Sequence, residues 1–437
     1  MTQVYLGDFA TFATNGGGEG PAWLPLLRRE AIERFGALGF PTPRNEDWHF
    51  TSVSPIVERE FRVAAPRAKP APVAAADLAP FTFGHPEWPT LVFVDGRYSA
   101  QLSAVPGSAL PAGVRVMDLQ SAWREDPAVL ERHLSKVAAF DQSAFTALNT
   151  AFMYDGAVIR IAADTVVEQP IHLMFVSTGA LGGHVAYPRN LILAERHSKA
   201  TVIESYVGLG DAEYFTNAVT EVVVRPGATL NHLKMQRESE RAYHVGSIQA
   251  HQERDSHFVS FSFATGAALS RTDIHTVLDG EGSGATLDGV YIVGGTQHVD
   301  HQTRIEHAQP NTFSREHYKG ILDGASHGVF NGKVYVHPQA QKTDGKQENN
   351  ALLLSDKARI DAKPELEIFA DDVKCTHGST VGRLDELSLF YMKSRGISSE
   401  LARKLLTYAF AAGVIENIEV EAVRKELQDL TLHRFTD

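Results

Sequence analysis

From about Gly156 to Gly382 the chain is built of short alternating runs, and helix signals are missing for more than two hundred residues. The runs include AVIRIAADTVV, IHLMFVS, HFVSFSFATG, GATLDGVYIVGG and GKVYVHPQAQKT. They are rich in β-branched and aromatic residues and are separated by Gly, Pro, Asp or Asn, which reads as a succession of short strands. A small unit recurs among them, a tight turn with a small residue leading into a strand. It is seen in HSKATVIES, RPGATLNHL, GSGATLDGV, DGASHGVFNG and SDKARIDAK, with Ala200, Ala228, Ala285, Ala325 and Ala358. Small residues fit the inner corners of a β-solenoid, in which each coil pairs with the coils above and below. The alanine spacing is uneven and strict hexapeptide repeats are absent. A large two-sheet sandwich is the alternative.

The ends of the chain differ. Residues 1–155 read as a mixed helical region, 156–382 as the β core and 383–437 as a helical tail. Residues 21–38 have Leu24, Leu27, Ile32 and Leu38 at helical spacing behind Pro21, which predicts an amphipathic helix. Residues 64–80 are rich in Ala and Pro and read as an extended arm. TLVFVDGRYSAQLS reads as a hairpin turning at Asp95-Gly96. Residues 127–151 read as two helices broken near Asp141. In the tail, Ser398 or Ser399 caps a helix with Leu401, Leu405 and Tyr408 inside, Gly413 ends it, and a last helix covers about 417–430.

The formal charge of −12 disfavours nucleic acid and anionic membrane surfaces. No run approaches the ~20 apolar residues that span a bilayer. The opening MTQVYLGDFATF lacks a basic segment followed by an apolar one, so the expectation is a cytoplasmic protein without a secretion signal. The single cysteine, Cys375, excludes an intrachain disulfide and a four-thiolate cluster held by this chain alone.

Cys375 lies in LEIFADDVKCTHGSTVG, two residues before His377. On a strand, residues i and i+2 share a face with Cα atoms ~6.6 Å apart, so thiol and imidazole can address one ion or sulfur species. Leu366, Ile368 and Ala370 fall on one parity and Val373 on the other, which predicts a bulge near Asp371-Asp372. The competing reading of Cys375 is a small buried hydrophobe. His298, His301, His307, His317, His327 and His337 form a second cluster. The ten-residue steps among them can stack side chains from successive turns, as a metal ladder or as a polar surface ladder. GVFNGKV and TDGKQE lack the spacing and hydroxyl of a phosphate loop, so no nucleotide is expected on this chain. No dinucleotide fingerprint, zinc pair or G-x-S-x-G occurs. The Asp371-Asp372 pair leaves open a carbohydrate-active solenoid enzyme, for which secretion is expected.

ADDVKCTHGSTVGRLDELSLFYMKSRGIS, PTPRNEDWHFT and GKVYVHPQAQKTDGKQENNALLLSDKARIDAKPELEIFADDVKC together resemble the SufD family of iron–sulfur cluster assembly scaffold subunits. The likeness covers most of the chain and is densest from about residue 286 to 410. It implies a right-handed parallel β-helix core flanked by N-terminal and C-terminal helical regions. It implies a SufB-like paralogue and a SufC-like ABC ATPase as partners. Gly378 after His377, where SufB relatives carry Glu, and the single cysteine both point to SufD rather than SufB. Ser379 departs from the usual Ala. By this resemblance His377 and Cys375 bind iron or a nascent cluster at the interface with the SufB-like chain, transiently and without catalysis. The tail docks the ATPase, with Leu389, Phe390, Tyr391 and Leu405 as contacts; the alternative is that the tail caps the solenoid end. A homodimer of the isolated chain is a further expectation.

Overall fold

The structure, a computed structural model, describes residues 2–17, 20–63, 72–106 and 110–434. Its core is a parallel β-solenoid of about eight turns, not a sandwich. Each coil sends one strand to an 11-stranded sheet and the next to a 10-stranded sheet. Consecutive strands in the chain therefore lie in opposite sheets, and neighbours within a sheet are one coil apart. Hydrogen bonds between corners, such as Lys342 to Asp372, span 30 residues, which is the length of one coil.

Side chains pointing inward from both sheets form the main core. Ile192, Val222, Ile248, Ile274, Ile305 and Phe330 meet Val202, Leu230, Phe258 and Leu287. At the N-terminal end the aromatic rings stack coil on coil: Phe93 on Phe175 at 4.8 Å and Phe175 on Tyr206 at 4.9 Å between centroids. These residues are in register across parallel strands, so the ladder follows from coil stacking alone.

The N-terminal region adds strands as well as helices. Thr90–Val94 and Arg97–Tyr98 form the expected hairpin, with Asp95 at φ 48° and Gly96 at φ 75°. Two central residues with positive φ give the turn whose twist matches the strands. The helix expected over 21–38 runs Leu24–Leu38, and the pair expected over 127–151 runs Pro127–His133 and Ala144–Phe152, with Asp141 between. Of the Ala/Pro-rich arm, residues 64–71 lie outside the described residues. In the remainder, extended backbone at Ala74 leads into a helical turn, Ala75–Leu78, where the Asp77 carboxylate accepts the Ala74 N–H at 2.9 Å and Leu78 is buried. Helical Phe35, Phe145 and Phe152, with Phe61 just before the short strand Arg62–Val63, cover the outer face of the larger sheet at Tyr187, Phe215 and Tyr243. Gly156 starts the solenoid at φ 151°, where an added Cβ would sit 2.0 Å from the Arg189 carbonyl oxygen. Only glycine allows that approach.

The tail forms helices Glu386–Ser394, Ser399–Ile415 and Glu421–His433. Ala411, Val414, Ile415, Val423 and Leu427 pack on Leu233, Phe261, Phe263 and Ile292, so the last two helices cover the outer face of the smaller sheet rather than capping the solenoid end. Gly413 does not end its helix. It lets the helix run close over Lys319, whose Nζ donates to the Phe410 carbonyl at 2.7 Å and would lie 3.0 Å from a Cβ at 413. Leu401 points to solvent, 47% exposed, instead of inside. Ser398 is the cap and accepts the Leu401 N–H at 3.2 Å. Ser398→Ala is expected to cost about 1 kcal/mol, read as a lower urea midpoint. Among the described residues no helix is long and apolar enough to cross a membrane.

Candidate functional site at the open end of the solenoid

The last coil consists of Arg359–Ile368 and Lys374–Gly382. Each strand is terminal in its sheet, with one neighbouring strand among the described residues. The parity break between Ile368 and Val373 is therefore a corner from one sheet to the other, not a bulge within one strand. Asp371 and Asp372 are exposed at that corner, and Asp372 is held by Lys342 at 3.1 Å.

Cys375 pairs in register with Gly345 and His377 with Gln347. Gly345 and Gln347 are buried positions of Asp344–Leu353, so Cys375 and His377 lie on the inward-facing rows of the solenoid. Among the described residues no further coil covers them. His377 is exposed and Cys375 is half-buried. Cys375 leans on a small apolar cluster of Val334, Val336, Ala340 and Ala370. Burial pushes its thiol pKa up, so the thiol is not activated as a nucleophile in the free chain. The absent side chain at Gly345 leaves it room, since a Cβ there would be 3.4 Å from Sγ. Among the described residues no group of three or more His, Cys, Asp or Glu is placed to hold a metal ion. Cys375 and His377 are thus two donors facing one way at an unpaired end.

The histidine series does not stack at ten-residue steps. Ten residues is the length of one strand, so such a step crosses to the other sheet. Stacking occurs one coil apart: His298 faces His327 in register, with ring centroids 4.6 Å apart. Their partners are structural. His327 meets Asp361 at 2.7 Å, and His298 meets the Thr51 hydroxyl at 2.9 Å. His337 lies 3.5 Å from Glu306, His317 is 3.0 Å from Asn350, and His301 and His307 are buried inside.

The NEDWHFT segment explains part of this face. Thr51 donates to Asp300 at 2.6 Å, and Arg271 bonds both Asp300 at 2.9 Å and the Asp47 carbonyl at 2.5 Å. The Arg271 guanidinium lies 3.7 Å over the Trp48 ring. The segment docks the N-terminal region onto the outer face of the larger sheet.

In the tail, Phe390 and Tyr391 are 71% and 59% exposed, whereas Leu389 is buried and Leu405 is half-buried. Leu387, 76% exposed, belongs with Phe390 and Tyr391, and the sequence reading missed it.

Two family models match. One, described as "SUF system FeS cluster assembly, SufBD core domain", covers residues 175–410, and one described as "SufBD protein N-terminal region" covers residues 13–173. The chain belongs to the SufBD family. It is 33% identical to the iron-sulfur cluster assembly protein SufD of Escherichia coli K12, over 91% of this chain and 90% of that protein. It is 32% identical to the iron-sulfur cluster assembly SufBD family protein slr0076 of Synechocystis, over 92% and 89%. The SufD of Bacillus subtilis is 29% identical over 93% of each chain. The family core model takes in both Cys375 and His377, and it ends within the helix Ser399–Ile415.

Proposed function

We propose that this chain is a non-catalytic scaffold subunit of an iron–sulfur cluster assembly complex. In this reading the open end of the solenoid pairs with a SufB-like paralogue. A SufC-like ATPase, docked on the Leu387–Phe390–Tyr391 patch, carries out the nucleotide chemistry. The observation that carries the reading is the last coil: its strand Lys374–Gly382 has a free edge and presents Cys375 and His377 on inward rows that nothing among the described residues covers. Free strand edges are sites for adding strands from another chain. Iron or a nascent cluster is the cargo. An imidazole and a thiol are an incomplete ligand set, and a second chain supplies the rest. Metal binding removes the thiol proton, so the raised Cys375 pKa opposes ligation and the ion must displace that proton.

The test is cluster formation in cells carrying His377→Ala or Cys375→Ala, after each variant is shown to assemble with its partners. Loss of cluster by roughly tenfold or more in His377→Ala with an intact complex is the expected result, the scale on which a ligand loss acts. Normal cluster yield in both variants removes the ligand role and leaves an architectural subunit. The same free edges accept a second copy of this chain, and the mass of the purified protein with and without partners separates a homodimer from the mixed complex.

A further inference from the structure

Behind His377 the inward row of the smaller sheet runs through Leu287, Glu316 and Gln347 in strict register. Behind Leu287 the same row holds Ser260 and His232, so buried polar side chains recur along it. Gln347 is 1% exposed and Glu316 is 3% exposed. The Gln347 amide donates from Nε2 to Glu316 Oε2 at 2.6 Å. The amide lies over Gly332, where an added Cβ would be 2.1 Å from that nitrogen, and the Glu316 carboxylate, which when ionised only accepts, sets which end of the amide faces it. Its carbonyl oxygen Oε1 is buried and has no hydrogen-bond partner among the described residues. A buried acceptor left without a donor is costly. The N–H side of the amide is spent on the preceding coil, and the in-register residue of the following coil is His377.

We propose that Gln347 is a positioning residue for His377: its Oε1 accepts a hydrogen bond from one ring N–H of His377, and Glu316 fixes the amide in that orientation. The bond holds the imidazole in one tautomer and presents the other ring nitrogen, with its lone pair, at the open end. Metal-binding histidines are commonly oriented this way by an acceptor on the second nitrogen. The inference rests on the reading of His377 as a ligand, and it names the residue that prepares it. Asn349, the next inward residue on the same strand, is in register with Ser379 and serves as a control.

The test uses the purified full chain without metal, labelled with nitrogen-15 at histidine and assigned with His377→Gln. Long-range proton–nitrogen spectra at pH about 8.5, well above the ordinary histidine range, read the tautomer ratio of the neutral ring. The wild type is expected to differ from a free imidazole by about fivefold in that ratio, the population change of one net hydrogen bond. Gln347→Met, of similar length but without the acceptor, is expected to return the ratio to the free value. Gln347→Glu, which keeps an acceptor oxygen, is expected to retain the bias. A wild-type ratio equal to that of free imidazole overturns the proposal without any variant. So does a shift in Asn349→Leu as large as that in Gln347→Met. The in-cell result for His377→Ala tests the ligand role separately, since the tautomer ratio is read with no metal present.

Discussion

Glu221→Ala is expected to destabilise the chain by about 3–5 kcal/mol, the range for breaking a buried ion pair on one side. Glu221 and Arg189 both have side chains that are 0% exposed, and they meet at 2.7 Å. Glu221 does more than pair with the cation. Its oxygens accept the backbone N–H groups of Ser135, Val137 and Ala138 at 2.7, 3.0 and 3.0 Å. Arg189 in turn donates to Asn149 and Thr150 at 3.0 Å each and to the Ser135 hydroxyl at 2.9 Å. One carboxylate therefore ties the segment between Pro127–His133 and Ala144–Phe152 to the solenoid strand Phe215–Val224. Removing it leaves a buried cation, the buried Ala138 amide and the half-buried Ser135 and Val137 amides without this acceptor. Denaturant titration of Glu221→Ala against wild type measures the loss, and a cost below about 1 kcal/mol would show that the segment finds water or other acceptors instead. The double variant Arg189→Met, Glu221→Leu is expected to recover part of the loss, because it removes the stranded cation while leaving the amides unpaired.

The solenoid was legible because its strands are short, β-branched and punctuated by turn residues, and because the small residues at its corners recur. Ala200 and Ala285 do occupy one inward row, which continues through Ser314 and Gly345 to Cys375. The period was not legible. A coil joins two unlike strands, so self-similarity over 30 residues is weak, while the ten-residue strand length stands out in the histidine spacing and misleads. Ala325 is exposed although it belongs to the same apparent unit. The Cys375–His377 pair was visible as i, i+2 on one strand. The residues behind it were not. Asp344–Leu353 alternates Lys346, Glu348 and Asn350 outward with Gln347 and Asn349 inward, so both faces are polar and the period-two signal disappears. Gln347 and Glu316 meet only because coils stack, 31 residues apart in the chain.

Within that polar interior, Glu316 should contribute a pH dependence opposite in sign to that of an ion-paired carboxylate. Burial raises the Glu316 pKa from 4.5 to about 7, offset in part by the hydrogen bond from Gln347. The folded state therefore holds the proton more tightly than the unfolded chain does. Its stabilising contribution is complete below the unfolded value of 4.5 and is lost as pH rises through about 7. Carrying the shift through at the usual free energy per unit gives a loss of up to about 3 kcal/mol by pH ~8. Asp155, also buried, is raised from 3.8 to about 7 and acts with the same sign. Glu306 has the opposite sign: hydrogen bonding to His275 lowers it to about 2, so its contribution is lost only as pH falls through that value. Buried His172, His298, His301 and His307, lowered by burial to between about 3 and about 4, act the other way below about pH 6.5, so the wild-type slope sums both sets and the contribution of Glu316 is read as the difference between wild type and Glu316→Gln. Glu316→Gln keeps an acceptor for the Gln347 amide and cannot ionise. It is expected to be the more stable protein at pH 8 and, between pH 5 and pH 8, to gain stability relative to wild type by about the loss that Glu316 contributes. Urea midpoints at the two pH values decide this. An unchanged difference in Glu316→Gln would mean that the carboxyl titrates as in the unfolded chain, and that water reaches the inside of the solenoid past Gln347.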